Sequence, residues 1–275
     1  MKIAYTDEGF AVSHPDGGWL LLSKLGIEAT ETAQVIGQQQ AIAAAVATAQ
    51  PGPAELDLRC PIVRPTKVLA IGLNYMDHIR ETGSKVPERP VLFAKFPNTL
   101  NDPYGQIVVD ADLTEKADYE VELAVVIGKR TRRVTRADAL DHVFGYAVGN
   151  DVSARDWQFA DPQFDRSKGF DTFCPIGPWI TTADEVPDPQ ALGLRSWVNG
   201  DVRQDSSTKE MVHGVAELIA FLSRGMTLEP GDVLLTGTPH GVGLAMDPPR
   251  FLLPGDVVRC EIQGLGAIEN ACVGP

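Results

Sequence analysis

The sequence predicts a β-rich α+β fold, and three observations carry that prediction. Short apolar runs of strand length recur along the chain, each bounded by Gly, Pro or Asp. Helical stretches are few, at about 31–49, 75–82 and 209–223. Those helices do not alternate with the strands as a doubly wound α/β sheet requires, so a sandwich, roll or barrel is expected instead.

The elements follow in chain order. Residues 1–30 read as two or three short strands, including Lys2-Ile3-Ala4-Tyr5 and Trp19-Leu20-Leu21-Leu22. Residues 31–49, rich in Ala and Gln, read as one helix that Pro51-Gly52-Pro53 stops. A boundary near residue 65 separates a small N-terminal domain, 1–65, from a main domain, 66–275. In the main domain the candidate strands are 67–72, 91–96, 105–109, 119–128, 143–149, 177–182, 194–198, 232–236 and 256–262. A helix is expected from about Lys209 to Ser223. Its apolar positions Met211, Val212, Val215, Leu218, Ile219 and Leu222 follow helical spacing, and Gly225 stands at the expected C-cap.

With 275 residues and 44% hydrophobic content, the chain can bury a large core. The net charge of −13 argues against a nucleic-acid partner. The one dense basic run, Lys129, Arg130, Arg132, Arg133 and Arg136, reads as a solvated turn. An acidic protein that handles an anionic substrate must supply positive charge locally, by a metal ion or a few placed Arg and Lys side chains. Cys60, Cys174, Cys260 and Cys272 form no CxxC pair and no zinc-finger spacing. No apolar run reaches the roughly 18 residues that span a membrane, and the first residues lack a signal-peptide core. A cytoplasmic protein with reduced thiols and no membrane partner is expected.

The most informative segment is Asp118-Tyr119-Glu120-Val121-Glu122-Leu123-Ala124-Val125-Val126-Ile127-Gly128. Side chains alternate along a strand, so Glu120 and Glu122 share a face. Taken alone, that pattern also fits a strand end with two solvent-facing glutamates. A third acid in a similar setting favours a site: Val143 to Gly149 is another buried-looking strand, and Asp151 stands at its end. Buried carboxylates need partners or a metal, and hard oxygen donors suit Mg²⁺, Mn²⁺ or Ca²⁺ rather than zinc. A second element lies upstream, where Tyr75 to Thr82 reads as a short helix stopped by Gly83. His78 and Glu81 share a face on it, as an exposed polar pair or as a base whose tautomer the carboxylate fixes. The loop 83–90 and that helix could form a lid.

Several segments together resemble the fumarylacetoacetate hydrolase family. They are Gly72-Leu73-Asn74-Tyr75 with His78, the strand Tyr119 to Leu123, Asn150 to Gln158, Lys168 to Pro178 and Gly231 to Pro239, in that order over roughly residues 60–275. The resemblance implies a mixed β-sandwich roll with a small N-terminal domain, and a homodimer. It implies Mg²⁺ or Mn²⁺, with Ca²⁺ as a substitute, on Glu120, Glu122 and Asp151. It also implies a His78–Glu81 dyad on a mobile lid and Lys168 beside the metal. Arg155, Gln158, Thr238 and Tyr75 would then bind a small anionic oxo acid. His240 lies where many relatives carry a small residue, whereas His14, His142 and His213 read as structural or exposed. The turn from Gly237 to Gly243 lacks the Lys-Ser/Thr end of a P-loop. The leading functional expectation is hydrolytic C–C cleavage of an acylpyruvate-type 2,4-dioxo acid, with His78 activating water. The alternative is decarboxylation or keto–enol isomerisation at the same metal, and the third possibility is a non-catalytic oxo acid binder.

Overall fold

The structure, a computed structural model, describes residues 1–275. The chain opens with a meander of β1 (Lys2–Thr6), β2 (Gly9–Ser13) and β3 (Trp19–Leu21). The single helix expected over 31–49 is two, α1 (Thr32–Gly37) and α2 (Gln39–Val46). The break falls at Gln38, after the weak helix former Gly37. The Gln38 side-chain amide donates to the carbonyls of Glu28 and Gln34, which holds the break between the helices. Next come β4 (Val68–Gly72), α3 (Met76–Thr82), β5 (Val91–Lys95), β6 (Leu100–Asn101), β7 (Ile107–Val108), β8 (Ala117–Asp118) and β9 (Val121–Ile127). They are followed by β10 (Val143–Asn150), β11 (Ser153–Ala154), α4 (Arg155–Ala160), β12 (Cys174–Thr182), β13 (Gly193–Val198) and β14 (Asp201–Ser207). The last elements are α5 (Val215–Gly225), β15 (Val233–Leu235), β16 (Val257–Ile262) and β17 (Gly266–Val273). Helix α5 starts later than the apolar spacing suggested. Residues 208–210 form a separate 3-10 turn, and Met211 makes a β-bridge to Tyr75 instead.

The β-rich class read from the sequence is the class of the structure. A ten-stranded sheet runs β3-β2-β1-β12-β10-β9-β15-β4-β5, with β6 also paired to β12. A five-stranded sheet runs β14-β13-β16-β17-β7, and β8 pairs with β11. The N-terminal strands join the large sheet through β1 and β12.

Strand β9 organises the core. It is buried along its whole length between the antiparallel neighbours β10 and β15. Its alternating side chains feed two separate apolar clusters. Val121, Leu123, Val125 and Ile127 enter the larger one, while Ala124 and Val126 enter the other. Glu120 and Glu122 have the parity of Ala124 and Val126, so two carboxylates cap one face of a strand that is otherwise hydrocarbon.

Candidate metal centre and active site

Strand pairing brings the three acids together. Glu122 sits opposite Gly149, and Val121 opposite Asn150, in the β9–β10 register. Just beyond β10, the Asp151 amide donates to the Glu120 carbonyl at 2.9 Å, and the Glu120 amide donates to Asn150 Oδ1 at 3.0 Å. Oxygens of Glu120, Glu122 and Asp151 therefore lie within 4.8 Å of one another, all buried.

Three buried cations hold this cluster. Lys168 Nζ donates to Glu120 Oε2 at 2.7 Å and to Asp151 Oδ2 at 2.6 Å. Lys95 Nζ donates to Asp151 Oδ1 at 2.6 Å and to the Lys168 carbonyl at 2.6 Å. Arg155 spans Asp118 at 2.8 Å, Glu120 at 2.6 Å and Gln158 at 2.8 Å. Burial pushes the Glu120 carboxyl up, but Lys168 and Arg155 outweigh it and hold that carboxyl at about 2. Glu122 has no such partner. Burial, with Asp151 and Glu120 close by, raises its carboxyl well above the usual range; only Lys168 and the Gly237 amide, donating at 2.7 Å, act the other way. Gly237 is required at that turn. Its φ is +94°, and a Cβ there would meet Asn74 Cβ at 2.9 Å. Burial works against the charged form of Lys168, yet Asp151 and Glu120 overcome it, so the ammonium stays protonated.

The dyad lies across from the cluster. His78 Nδ1 stands 3.1 Å from Glu81 Oε2, which leaves Nε2 without a partner in the chain. The other Glu81 oxygen accepts from the Gly241 amide at 2.8 Å. Asp77, the next residue along, accepts from the His78 amide at 2.7 Å and pairs with His240 Nδ1 at 3.0 Å. Helix α3 is thus tied to the 237–243 turn by two carboxylates, and His240 is one of the ties.

A 460 Å³ cavity joins the two elements. His78, Glu81, Glu120, Glu122, Arg155, Gln158, Lys168 and Thr238 all line it. Asp151 lies behind that surface, fully buried. The Thr238 hydroxyl is already engaged, donating to the Val121 carbonyl at 3.0 Å and accepting from Gln204 at 2.8 Å. Tyr75 is not placed with the others, because its ring is buried in the larger apolar cluster. Two functional candidates escaped the sequence reading. Lys95 ends β5 two residues after Phe93, a cavity residue, so strand parity pointed it inward. Asp118 precedes Glu120 by two, and it accepts from the Gly243 and Leu244 amides as well as from Arg155.

The donor set fits a hard divalent ion. Three carboxylates converge, each supplying oxygen, and no thiol or imidazole completes the group. Glu120 and Glu122 face the open cavity.

Comparison with known proteins points to a single family. The family model for the fumarylacetoacetate (FAA) hydrolase C-terminal domain matches residues 67–273. A mitochondrial oxaloacetate tautomerase of Xenopus laevis is 49% identical over 220 residues, covering 79% of this chain and 69% of that protein. A fumarylacetoacetate hydrolase structure from Exiguobacterium antarcticum superposes with a TM-score of 0.85 at 37% identity, covering 100% of both chains. A maleylpyruvate hydrolase structure from Sphingobium, in complex with manganese(II) and pyruvate, gives a TM-score of 0.82 at 34% identity, again covering 100% of both chains. The expectation of a cytoplasmic location is corrected by the first of these, a relative that is mitochondrial by name.

Proposed function

The chain belongs to the fumarylacetoacetate hydrolase family, and on that premise we propose that it is a divalent-metal-dependent enzyme interconverting the keto and enol forms of a 2-oxo acid. The observation that carries this reading is a carboxylate-held imidazole facing, across one cavity, an oxygen-ligand triad with a buried lysine. Enolisation needs those parts: a base for the C3 proton and positive charge for the oxygen that becomes an enolate. The C–C hydrolysis placed first from the sequence gives way to its isomerisation alternative. What supports this is that vertebrate relatives at 46–49% identity over 214–221 residues are named oxaloacetate tautomerases.

Glu120, Glu122 and Asp151 would hold Mg²⁺ or Mn²⁺, and a bound ion there supplies Lewis acidity to a 2-oxo acid. The rest is the work of the chain's own groups. His78 Nε2 takes the proton from C3, and Glu81 steadies the imidazolium that forms. Lys168 spends two N–H bonds on Glu120 and Asp151, and its third is free for the developing oxyanion. The proton then returns to oxygen rather than carbon. One C–H bond has broken and one O–H bond has formed, with the composition unchanged.

The test follows the enol absorbance of oxaloacetate with Mg²⁺ or Mn²⁺ present, alongside product analysis. Accelerated keto–enol relaxation at unchanged mass supports the reading. Release of CO₂, or of a new free acid from an acylpyruvate, with no effect on keto–enol relaxation refutes it.

A further inference from the structure

Helix α3 has seven residues, too few to hold its own direction in water, so its neighbours decide where His78 points. Resting on the reading of His78 as the base, we propose that His240 is a positioning residue for it. Through Asp77, His240 fixes the tilt of α3 and so the aim of His78 Nε2 into the cavity.

The turn 237–243 is the anchor, and it is itself fixed on the side of the metal ligands. The Gly237 amide donates to Glu122 at 2.7 Å, and the Gly243 amide donates to Asp118 at 2.7 Å. Between them, the Tyr119 hydroxyl donates to the Gly241 carbonyl at 3.0 Å and Gln204 Nε2 to the Pro239 carbonyl at 2.9 Å. Residues 237, 239, 241 and 243 are thus all tied to β8, β9, β14 or the residue beside them. His240, between two of those ties, turns its ring toward α3 instead.

Helix α3 meets this turn at two polar points. Glu81 accepts from the Gly241 amide at 2.8 Å, and Asp77 pairs with His240 Nδ1 at 3.0 Å. An ionised carboxylate only accepts, so His240 donates from Nδ1. Asp77 and Glu81 share a helix face about 6 Å apart along the axis. One such contact leaves a pivot, whereas two fix the tilt. The buried Ile79 seats the helix, but an apolar contact has no direction. The other Asp77 oxygen accepts from the His78 amide at 2.7 Å, so the clasp is bonded to the base residue itself. Ser206 of β14 also donates to Asp77, a second support for the same carboxylate. Beyond α3 the chain offers little more, since Lys85, Val86, Glu88 and Arg89 are exposed. Asp77 and His240 both lie outside the cavity lining, and the His240 side chain is 45% exposed. Removing that ring therefore takes away neither a substrate contact nor core volume.

The test compares His240→Ala and His240→Asn with the wild type, using oxaloacetate with Mn²⁺ and amide hydrogen exchange of the Mn²⁺-loaded protein. A reacting group misplaced by about 1 Å costs about 10²-fold; with Ser206 still holding Asp77, His240→Ala should lower kcat about tenfold. KM should stay within about a factor of two, and the α3 amides should exchange faster. His240→Asn should restore most of both, because its side-chain amide donates from nearly the position of Nδ1. In a His78→Ala background, His240→Ala should lower kcat no further. Full kcat in His240→Ala, an asparagine no better than alanine, or a second tenfold loss in the double variant overturns the proposal. A His78→Ala variant with full kcat overturns the base reading beneath it, whereas unchanged α3 exchange in His240→Ala overturns the clasp itself.

Discussion

Lys95→Met tests the electrostatics of the site directly. Lys95 is a buried ammonium that donates to Asp151 at 2.6 Å and to the Lys168 carbonyl at 2.6 Å. Methionine keeps much of the volume and removes the charge and both donors. Breaking one side of a buried pair costs about 3–5 kcal/mol. For a chain of 275 residues the unfolding entropy is about 0.6 kcal/mol/K, which converts that loss to a fall in Tm of about 5–9 °C.

The more discriminating part is the response to metal. In the wild type a divalent ion must bind a carboxylate that already serves two lysines, Lys95 and Lys168. Removing Lys95 removes a repulsion worth a few kcal/mol at an effective dielectric of about 20. Bound ion stabilises the native state in proportion to its affinity. Differential scanning calorimetry with chelator and with Mn²⁺ should therefore show the variant well below wild type without metal. The ion-induced rise in Tm should exceed that of the wild type by at least about 3 °C. An equal or smaller rise would falsify the placement of the ion on Asp151. An unchanged Tm in chelator would show instead that the Lys95–Asp151 pair is not formed.

Other tests follow from the same geometry. Glu122 has a raised carboxyl pKa, so in the metal-free chain it holds its proton above the ordinary glutamate range. A raised folded-state value means that its contribution to stability is full at low pH and is lost as pH rises through that value. Metal-free stability should thus decline with rising pH while metal affinity increases, and Glu122→Gln should abolish that decline and weaken the ion at least tenfold, read by isothermal titration across pH. His78→Ala should lower kcat by about 10²–10⁴ while leaving Mn²⁺ affinity within a factor of two or so, since His78 contributes no ligand to the triad; unchanged kcat would remove it from the base role. Asp118→Ala strips Arg155 Nε and the Gly243 and Leu244 amides of their acceptor, so a loss of about 3 kcal/mol or more is expected in urea unfolding.

What the sequence revealed depended on how local each signal was. Glu120 and Glu122 were legible because strand alternation is a period-two rule, and β9 obeys it along its length. Asp151 was legible from its place at the end of an apolar run. Lys95 carried the same kind of signal but was read as the end of a strand, because its partner Asp151 is 56 residues away and only the sheet brings them together. Helix α4 was missed altogether. Its six residues are too few to show a period, yet it carries Arg155, Gln158 and Phe159 to the cavity. Tyr75 differs in that the motif around it is local, while its ring is buried in the larger apolar cluster rather than in the cavity lining.

The arrangement of counter-charges explains how so many acids fit inside one fold. Without an ion, three carboxylates within 4.8 Å would repel one another in a hydrocarbon surround. Lys168 bridges two of them, Arg155 and Lys95 anchor each from behind, and the third, Glu122, accepts from the Gly237 amide while burial and its acidic neighbours push its carboxyl pKa up. The site is therefore formed before metal arrives. A bound ion would favour the ionised form of Glu122, and Lys168 keeps one N–H beyond its bonds to Glu120 and Asp151. The same lysine that keeps the empty site folded can meet the charge that enolisation creates. That economy of one ammonium for two tasks predicts that Lys168→Met would damage stability and kcat together, unlike His78→Ala, which should affect kcat alone.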